Sequence, residues 1–172
     1  NISMAVFFFF FLLSGLIPFD SILSMNLFNS SAVSQSVIVE SICNGLFEEK
    51  TGIIDAPIAR KENSIIERCV NPTGAPAITH YKVLKEFEID GKIFSELLIS
   101  LETGRTHQIR VHMAYLGHPI IGDSLYGSES ILINRQALHA YRVEFIHPIS
   151  RQKIIITSNI PKDMSDIIKK QD

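Results

Sequence analysis

The central part of the chain contains the stretch ETGRTHQIRVHMAYLG, which runs from Glu102 to Gly117. Its apolar residues recur at helical spacing and fall within about 60° of one another around a helix axis: Ile109, Met113 and Leu116. Thr106 is a residue type that caps helices, and Gly117 followed by Pro119 is typical of a helix end. The stretch therefore predicts a short helix that begins after Thr106 and ends at Gly117.

Two strand patterns come directly before this helix. Residues 77–89 and 92–101 are apolar-patterned runs, and only Asp90 and Gly91 separate them. An Asp-Gly dipeptide is typical of a two-residue hairpin turn, because both turn positions need positive φ. The pattern therefore predicts an antiparallel hairpin.

A second antiparallel pair follows the helix. Residues 137–147 and 152–158 flank Pro148 and have strand composition, and residues 161–170 are typical of a terminal helix. The sequence has no internal repeat and no alternation of parallel strands with helices. It predicts an α+β domain built on antiparallel strands.

The composition limits the class of protein. The chain has 172 residues, of which 46% are hydrophobic, and this suits one domain with a real core. The composition excludes a disordered tail, a collagen-like repeat and a disulfide scaffold. Cys43 and Cys69 have no metal-ligand spacing and indicate thiols in a reducing compartment.

The charge is unevenly distributed. A net charge of −2 argues against a generic nucleic-acid binder. However, all 16 basic residues lie at or after Lys50, so the first 49 residues carry −4 and the remainder carries +2. The chain therefore joins two different compositions, and the average hides a mildly basic part.

The N-terminal composition leaves several interpretations open. Residues 4–19 carry no charge and include the run Phe7–Phe11. A signal peptide would need a basic segment before its apolar region, and a membrane-spanning helix would need about 18–20 apolar residues. A buried segment, or a fragment with an incomplete or erroneous start, also fits.

Two arginines and two histidines of the central stretch, together with His118 directly after it, are candidates for chemistry. Arg105 precedes the predicted helix and Arg110 lies on it, where the free N–H groups of a helix start favour an anion such as a phosphodiester or a carboxylate. Salt-bridged surface arginines are the alternative. The spacing of His107, His112 and His118 does not fit a metal site. The sequence also has no nucleophile elbow and no phosphate-binding loop.

The longer run LETGRTHQIRVHMAYLGHPIIGDSLYG, residues 101–127, closely resembles the signature of the RluA-type RNA pseudouridine synthases. Further segments resemble that family in the same order: residues 52–60, 73–81, 138–140 and 145–148. The resemblance covers residues 45–164. It implies a mixed, mainly antiparallel sheet with flanking helices.

The resemblance implies an isomerase that converts uridine in ribosomal or transfer RNA to its C-glycoside without a cofactor. In such enzymes the target base is flipped out of the RNA. An aspartate of a His-Arg-Leu-Asp-type segment carries the covalent or acid–base step, and a tyrosine stacks on the base. An arginine of the His-Gln-Ile-Arg motif pairs with that aspartate. In this sequence that arginine is Arg110.

Two catalytic roles of the family have no matching residue. Residues 14–16 resemble the segment that follows the catalytic aspartate, and counting back places the aspartate at Phe10. Counting along the family pattern places the tyrosine at Val39. No Asp precedes Asp20, and no Tyr precedes Tyr81.

The missing residues lead to an expectation about activity. A phenyl ring can neither add to a sugar or base nor exchange a proton, so we expect this chain to form no pseudouridine. We also expect Arg110 to lack its carboxylate partner, and Asp123 to serve a structural role in its loop.

Several side chains are candidates for RNA contact. By resemblance, Leu138 packs on the flipped base, while His139 either lines the base pocket or caps the core. For Arg60 and Lys61 the alternative is a solvated pair of surface charges. The RNA-binding candidates are Arg60, Lys61, Arg105, His107 and Leu138.

The sequence predicts the following organisation. Residues 1–44 form a degenerate or truncated N-terminal part, and residues 45–172 form the C-terminal portion of a pseudouridine synthase-like catalytic domain. The expected partner is RNA, with no metal and no membrane, for a cytoplasmic monomer. The alternative is an intact, non-catalytic RNA-binding paralogue. A membrane-tethered variant that uses residues 4–19 is a weaker third hypothesis.

Overall fold

The computed structural model describes residues 35–147 and 150–170. These residues form eight strands and two helices, in the following order: β1 (Gln35–Asn44), β2 (Thr51–Asp55), β3 (Ile58–Arg60), β4 (Arg68–Val70), β5 (Ile78–Ile89), β6 (Lys92–Leu101), α1 (Gln108–Tyr115), β7 (Leu138–Ile146), β8 (Lys153–Thr157) and α2 (Lys162–Lys169). The predicted α+β class is confirmed.

Six of the strands form one sheet in the order β2-β5-β6-β1-β7-β8. Every neighbouring pair of these strands is antiparallel. β1 precedes residue 45, where the sequence suggests a domain boundary, and it lies between β6 and β7. β3 and β4 form a separate two-stranded hairpin.

The predicted hairpin at Asp90 and Gly91 is confirmed. β5 and β6 pair antiparallel with Ile89 opposite Lys92. Asp90 has φ 51° and Gly91 has φ 73°, as a tight turn between two twisted strands requires.

The predicted pair after the helix is also confirmed. β7 pairs with β8, with Ile146 opposite Lys153. Pro148 lies outside the described residues. The predicted terminal helix is α2, which buries Met164 and Ile167 in the core.

The helix α1 packs its apolar residues into the same core as the sheet. Ile109 and Met113 are 1% and 0% exposed, and Leu116 is partly buried beside them. Full burial stabilises each such side chain by roughly 1.5–3 kcal/mol relative to exposure. The core contact of this face agrees with the helical spacing in the sequence.

The predicted start of α1 is wrong. The residue that precedes the helix is His107, which has the left-handed φ of 58° and whose side chain makes no capping hydrogen bond. The side chain of Gln108 closes the preceding turn instead, because its Oε1 accepts from the Arg105 N–H at 2.9 Å. Side-chain oxygens often satisfy the free N–H groups near a helix start in this way.

The predicted end of α1 is confirmed. Gly117 has φ 84°, and its N–H donates to the Ala114 carbonyl at 3.0 Å. The N–H of His118 donates to the Met113 carbonyl at 2.9 Å. This pair of bonds is the Schellman motif, which satisfies the last carbonyls of a helix and fixes the exit direction of the chain.

The N-terminal predictions fall mostly outside the described residues. Phe10 and the rest of residues 4–19 lie outside the described residues. Val39 is described, is fully buried in β1 and lies opposite Ile99 and Ala140. None of the helices in the described ranges combines the length and the apolar character needed to cross a membrane.

Candidate functional site

The candidate site is built around a buried ion pair between Arg110 and Asp123. The Nε of Arg110 donates to Oδ2 of Asp123 at 2.8 Å, and Nη2 donates to Oδ1 at 2.8 Å. The side chains are 10% and 0% exposed. Two parallel charge-assisted bonds fix both the position and the plane of the guanidinium.

The loop after the helix holds Asp123 in place. Gly122 has φ 71°, and a Cβ there would overlap the carbonyl oxygen of Arg135, so only glycine fits. Oδ1 of Asp123 also accepts from the N–H groups of Leu125 at 3.0 Å and Tyr126 at 3.2 Å. These contacts make the carboxylate part of the loop as well as a partner of Arg110.

The protonation of Asp123 follows from opposing effects. Burial on its own would raise the pKa of the carboxyl group. The hydrogen bonds and charge of Arg110, together with the two loop N–H groups, outweigh burial and lower the pKa below its ordinary value. The pair is therefore ionised at neutral pH.

The absence of the family aspartate as a partner of Arg110 stays a prediction, but Arg110 does have a carboxylate partner. Asp123 supplies that carboxylate from a loop 13 positions further along the chain. The loop bonds of Asp123 are the structural part of its role. Its side chain reaches Arg110 because the Schellman end of α1 turns the chain back toward the helix.

Tyr126 covers the other side of the guanidinium. Its ring centroid lies 5.0 Å from Cζ of Arg110, which is within the range of a cation–π interaction. The Tyr126 hydroxyl accepts from the Arg68 N–H at 2.8 Å and lies 2.7 Å from Nδ1 of His107. Burial raises the pKa of Tyr126, so its phenol is neutral.

A buried amide joins α1 to the sheet. Oε1 of Gln108 accepts from the Thr103 hydroxyl and the Arg105 N–H, both at 2.9 Å. Its Nε2 donates to the Ile78 carbonyl and to Oγ1 of Thr79, both at 3.0 Å. Gln108 is 0% exposed, and every polar group of its side chain is satisfied.

His112 lies on the same helix and is fully buried. Its Nε2 lies 2.9 Å from the Ala56 carbonyl, which can only accept, so this nitrogen carries the proton. Nδ1 therefore accepts from the Thr79 hydroxyl at 2.8 Å. Burial lowers the pKa of His112, so the ring is neutral and serves to connect β2, β5 and α1.

Metal binding has no support in the described part of the chain. His107 and His112 are engaged as above, and Nδ1 of His118 lies 2.9 Å from the Asn44 carbonyl. No group of three or more metal-ligating side chains occurs among the described residues.

The basic candidates lie in two places, with Arg60 and Lys61 on the β3–β4 hairpin and Arg105 just before α1. Arg60 is exposed and donates from Nη1 to the Ile65 carbonyl at 3.0 Å. Lys61 is exposed and pairs with Glu67 at 2.8 Å. Arg105 is half-buried and donates from Nε to the Pro76 carbonyl at 2.8 Å. Two of these three residues thus hold loop backbone, and their RNA contact stays a prediction.

The other two RNA-binding candidates differ in burial. His107 is 9% exposed and contacts Tyr126 in the site itself. Leu138 is 6% exposed and belongs to the core cluster at the start of β7. His139 is half-buried, with Nε2 3.3 Å from the Ser158 carbonyl. Packing of Leu138 on a base stays a prediction.

Sequence reasoning missed two parts of the site. Tyr126 lies three positions after Asp123 in a loop that contains Gly122 and Gly127, and such spacing is typical of an aspartate that caps its own loop. This pattern is a local signal for the Asp123–Tyr126 loop. For the contacts of Gln108 with Ile78 and Thr79 no such signal exists, because these partners lie on β5, about 30 positions earlier in the chain.

The class of protein follows from a family model. Residues 34–115 match the model described as RNA pseudouridylate synthase. This range begins at β1 and ends with α1, so it includes Arg110 and the sheet on which its helix packs. Together with the relatives below, this match supports an RluA-type RNA pseudouridine synthase.

Curated relatives point to the same family. The chain is 45% identical over 129 residues to the RNA pseudouridine synthase YjbO of Bacillus subtilis, which is 75% of this chain and 44% of that protein. It is 39% identical over 132 residues to the ribosomal large subunit pseudouridine synthase D of Escherichia coli, which is 69% of this chain and 39% of that protein. The chain thus spans less than half the length of these relatives.

Solved structures share the fold. Human RNA Pseudouridylate Synthase Domain Containing 1 superposes with a TM-score of 0.64 and 26% identity, covering 77% of this chain and 56% of that one. Human RNA Pseudouridylate Synthase Domain Containing 4 gives a TM-score of 0.59 at 17% identity, covering 79% and 62%. The second likeness concerns the fold alone.

Proposed function

We propose that this chain is the RNA-binding C-terminal portion of an RluA-type pseudouridine synthase domain. Its partner is ribosomal or transfer RNA, and its reaction class is the isomerisation of uridine to pseudouridine without a cofactor. We further propose that it acts in the cytoplasm as a monomer. We also propose that this 172-residue chain does not convert uridine to pseudouridine.

The observation that carries the proposal is the geometry of Arg110. An arginine keeps its positive charge at all physiological pH values. Here Asp123 holds it by two bonds and Tyr126 covers one face, so the charge is fixed in direction. A fixed cation is the kind of group that orients a carboxylate or a phosphate at a reaction centre, because little ordering remains to be done when the partner arrives.

The proposed lack of turnover follows from the missing acid–base group. Converting uridine to its C-glycoside breaks the bond between the sugar and the base nitrogen and forms a bond to a base carbon. A carboxylate that attacks or exchanges a proton is needed, and the family position for it corresponds to Phe10. The carboxylate of Asp123 is engaged by Arg110 and by two backbone N–H groups, which makes it a poor substitute.

One observation favours the second candidate, a non-catalytic RNA-binding paralogue. Arg110 already has a carboxylate partner in Asp123. A buried arginine with a carboxylate partner is compatible with a stable fold, so a domain that binds RNA without chemistry is physically consistent.

The two candidates share a first experiment. The purified chain is titrated with a ribosomal RNA transcript at several salt concentrations, and the RNA is then assayed for pseudouridine. We expect binding that weakens as salt rises, because phosphate contacts release counterions. We expect no pseudouridine above an Arg110→Ala control. Product above that control would overturn the proposed lack of turnover, and absence of binding at low salt would overturn the RNA-binding function.

A matched pair of variants locates the RNA contact. Replacing Arg60 and Lys61 together with Gln removes two exposed charges from the hairpin, and Lys169→Gln removes an exposed charge from α2. We expect the hairpin variant to weaken binding several-fold and to reduce the salt slope by about one for each phosphate that the protein no longer neutralises. Equal effects of the hairpin and α2 variants would contradict RNA binding at the hairpin.

The DNA upstream of Asn1 separates the candidates. A reading frame that supplies a His-Arg-Leu-Asp segment before residues 14–16 supports the catalytic domain. A start codon followed by the same phenylalanine run supports the paralogue.

A further inference from the structure

Tyr126 touches three different parts of the molecule. Its ring lies over Arg110 of α1, its hydroxyl accepts from the Arg68 N–H of β4, and the same hydroxyl bonds His107 before the helix. The His107 and Tyr126 rings also meet edge to face at 5.5 Å. Tyr126 is thus a direct link between the Arg110–Asp123 pair and the β3–β4 hairpin.

The hairpin is the exposed partner in this link. Arg60 holds the Ile65 carbonyl, and Arg68 donates from Nη1 to the Ile66 carbonyl at 3.4 Å. The side chains of Ile65 and Ile66 at the tip are 85% and 62% exposed. A ligand that binds the tip would therefore act on strands that carry the Arg68 N–H.

We propose that Tyr126 is a positioning residue that couples the β3–β4 hairpin to Arg110. Binding at the hairpin then changes how firmly the guanidinium is held, through the Arg68–Tyr126 bond and the ring that covers Arg110. The identity of the ligand as RNA rests on the proposed function. The coupling inside the free protein does not.

The hydroxyl is the essential group of this link. The ring alone would cover Arg110 equally well after rotation about its own normal, since a cation–π contact needs only that the cation stays over the face of the ring. The two bonds at the hydroxyl select one such rotation. Tyr126→Phe removes both bonds and keeps the ring, so it separates positioning from simple burial.

The test in the free protein uses hydrogen exchange measured by NMR on the ¹⁵N-labelled chain. We expect Tyr126→Phe to speed exchange of the Arg68 amide about five- to tenfold, as loss of one hydrogen bond does, and to speed exchange of the Arg110 Nε–H about threefold or more. Amides of β6 report global opening and serve as the reference. Tyr115→Phe is the matched control, because Tyr115 is on α1 and is 61% exposed.

Each outcome in the free protein decides the coupling. Faster exchange at both Arg68 and Arg110, relative to β6, supports it. Faster exchange at Arg68 with no change at Arg110 would overturn it, because Tyr126 would then only pin the hairpin. No change at either group, or an equal change in the Tyr115→Phe control, would also overturn it.

A second arm adds the ribosomal RNA transcript. We expect RNA to slow exchange of the Arg110 Nε–H in the wild-type chain and to lose this effect in Tyr126→Phe, while hairpin amides stay protected in both. Equal slowing of Arg110 Nε–H exchange by RNA in both chains would overturn the coupling between the hairpin and Arg110. Absence of RNA binding would count against the proposed function alone, since the first arm needs no RNA.

Discussion

The site formed by α1 and the loop after it, and the β3–β4 hairpin, carry the same kinds of side chain in opposite environments. In the first, Arg110 and Asp123 are 10% and 0% exposed. In the second, Lys61 and Glu67 are 53% and 27% exposed. Water screens the exposed pair, whereas the buried pair has lost its hydration and depends on its partner. Burial therefore decides which of two similar ion pairs fixes a geometry.

The largest expected effect breaks the buried pair. Asp123→Asn keeps the size of the side chain but leaves Arg110 without its counter-charge in the interior. Removal of one partner of a buried pair costs about 3–5 kcal/mol, and we expect about 3 kcal/mol here because Asn retains an acceptor. The measurement is the free energy of unfolding in urea at pH 7.

The matched change in the hairpin is Glu67→Gln. It removes the charge from an exposed pair, and we expect no measurable shift of the unfolding midpoint. If the two substitutions shift the midpoint equally, burial does not distinguish the two regions and the comparison is wrong.

The next largest effect removes the buried amide. Gln108→Leu would leave the Arg105 N–H without its partner. It would also remove one bond each from the Thr103 hydroxyl and the Ile78 carbonyl, which keep their bonds to the N–H groups of Ile78 and Glu102. An unsatisfied buried polar group costs about 1–3 kcal/mol, so we expect a loss of about 2–3 kcal/mol in thermal or urea unfolding. Gln152→Leu, at an exposed position before β8, is the control. If Gln108→Leu leaves the stability unchanged, water replaces these hydrogen bonds.

The smallest expected effect concerns pH. Burial lowers the pKa of His112 in the folded state below its ordinary value of 6.5. Between that folded pKa and 6.5 the unfolded chain binds more protons, so this histidine lowers stability as pH falls from 7 toward 5. We expect His112→Gln to lose less stability than the wild type over the same interval, in urea titrations at pH 7 and pH 5.

The wild-type difference alone does not test this prediction. Burial also lowers the pKa of His139, while burial raises the pKa values of Glu40 and Glu96, and these carboxyl groups act in the opposite direction. The three groups are common to both chains, so the difference between variant and wild type isolates His112. An identical pH response of the two chains would contradict the neutral, buried state of the ring.

Local signals in the sequence predicted much of the fold. Asp90 and Gly91 define a turn by their own φ preferences, and the predicted strand 92–101 matches β6. Gly117 ends α1 because glycine adopts positive φ without strain. In each case the information lies within a few residues of the feature.

The rest depended on contacts between distant segments. Beside the left-handed His107, the Gln108 side chain closes the turn through Arg105 and is itself held by Ile78 and Thr79 of β5, and a capping pattern at Thr106 does not reveal these contacts with β5. Likewise, the pairing of Arg110 with Asp123 depends on how the intervening loop returns to the helix. Helix propensity and residue spacing do not describe how a loop folds back on a helix. The motif could therefore be recognised from the sequence, but the pairing of Arg110 with Asp123 within it could not.

The position of β1 has a consequence for the order of assembly. Ile38 lies opposite Ser100 on one side and Arg142 on the other, so the central strand of the sheet is the first one in the described chain. During synthesis its edges stay unpaired until β6, and then β7, have left the ribosome, whereas β5 and β6 can pair as soon as both exist. Pairings so distant in sequence slow folding. We therefore expect the hairpin around Gly91 to form first and β1 to join it later.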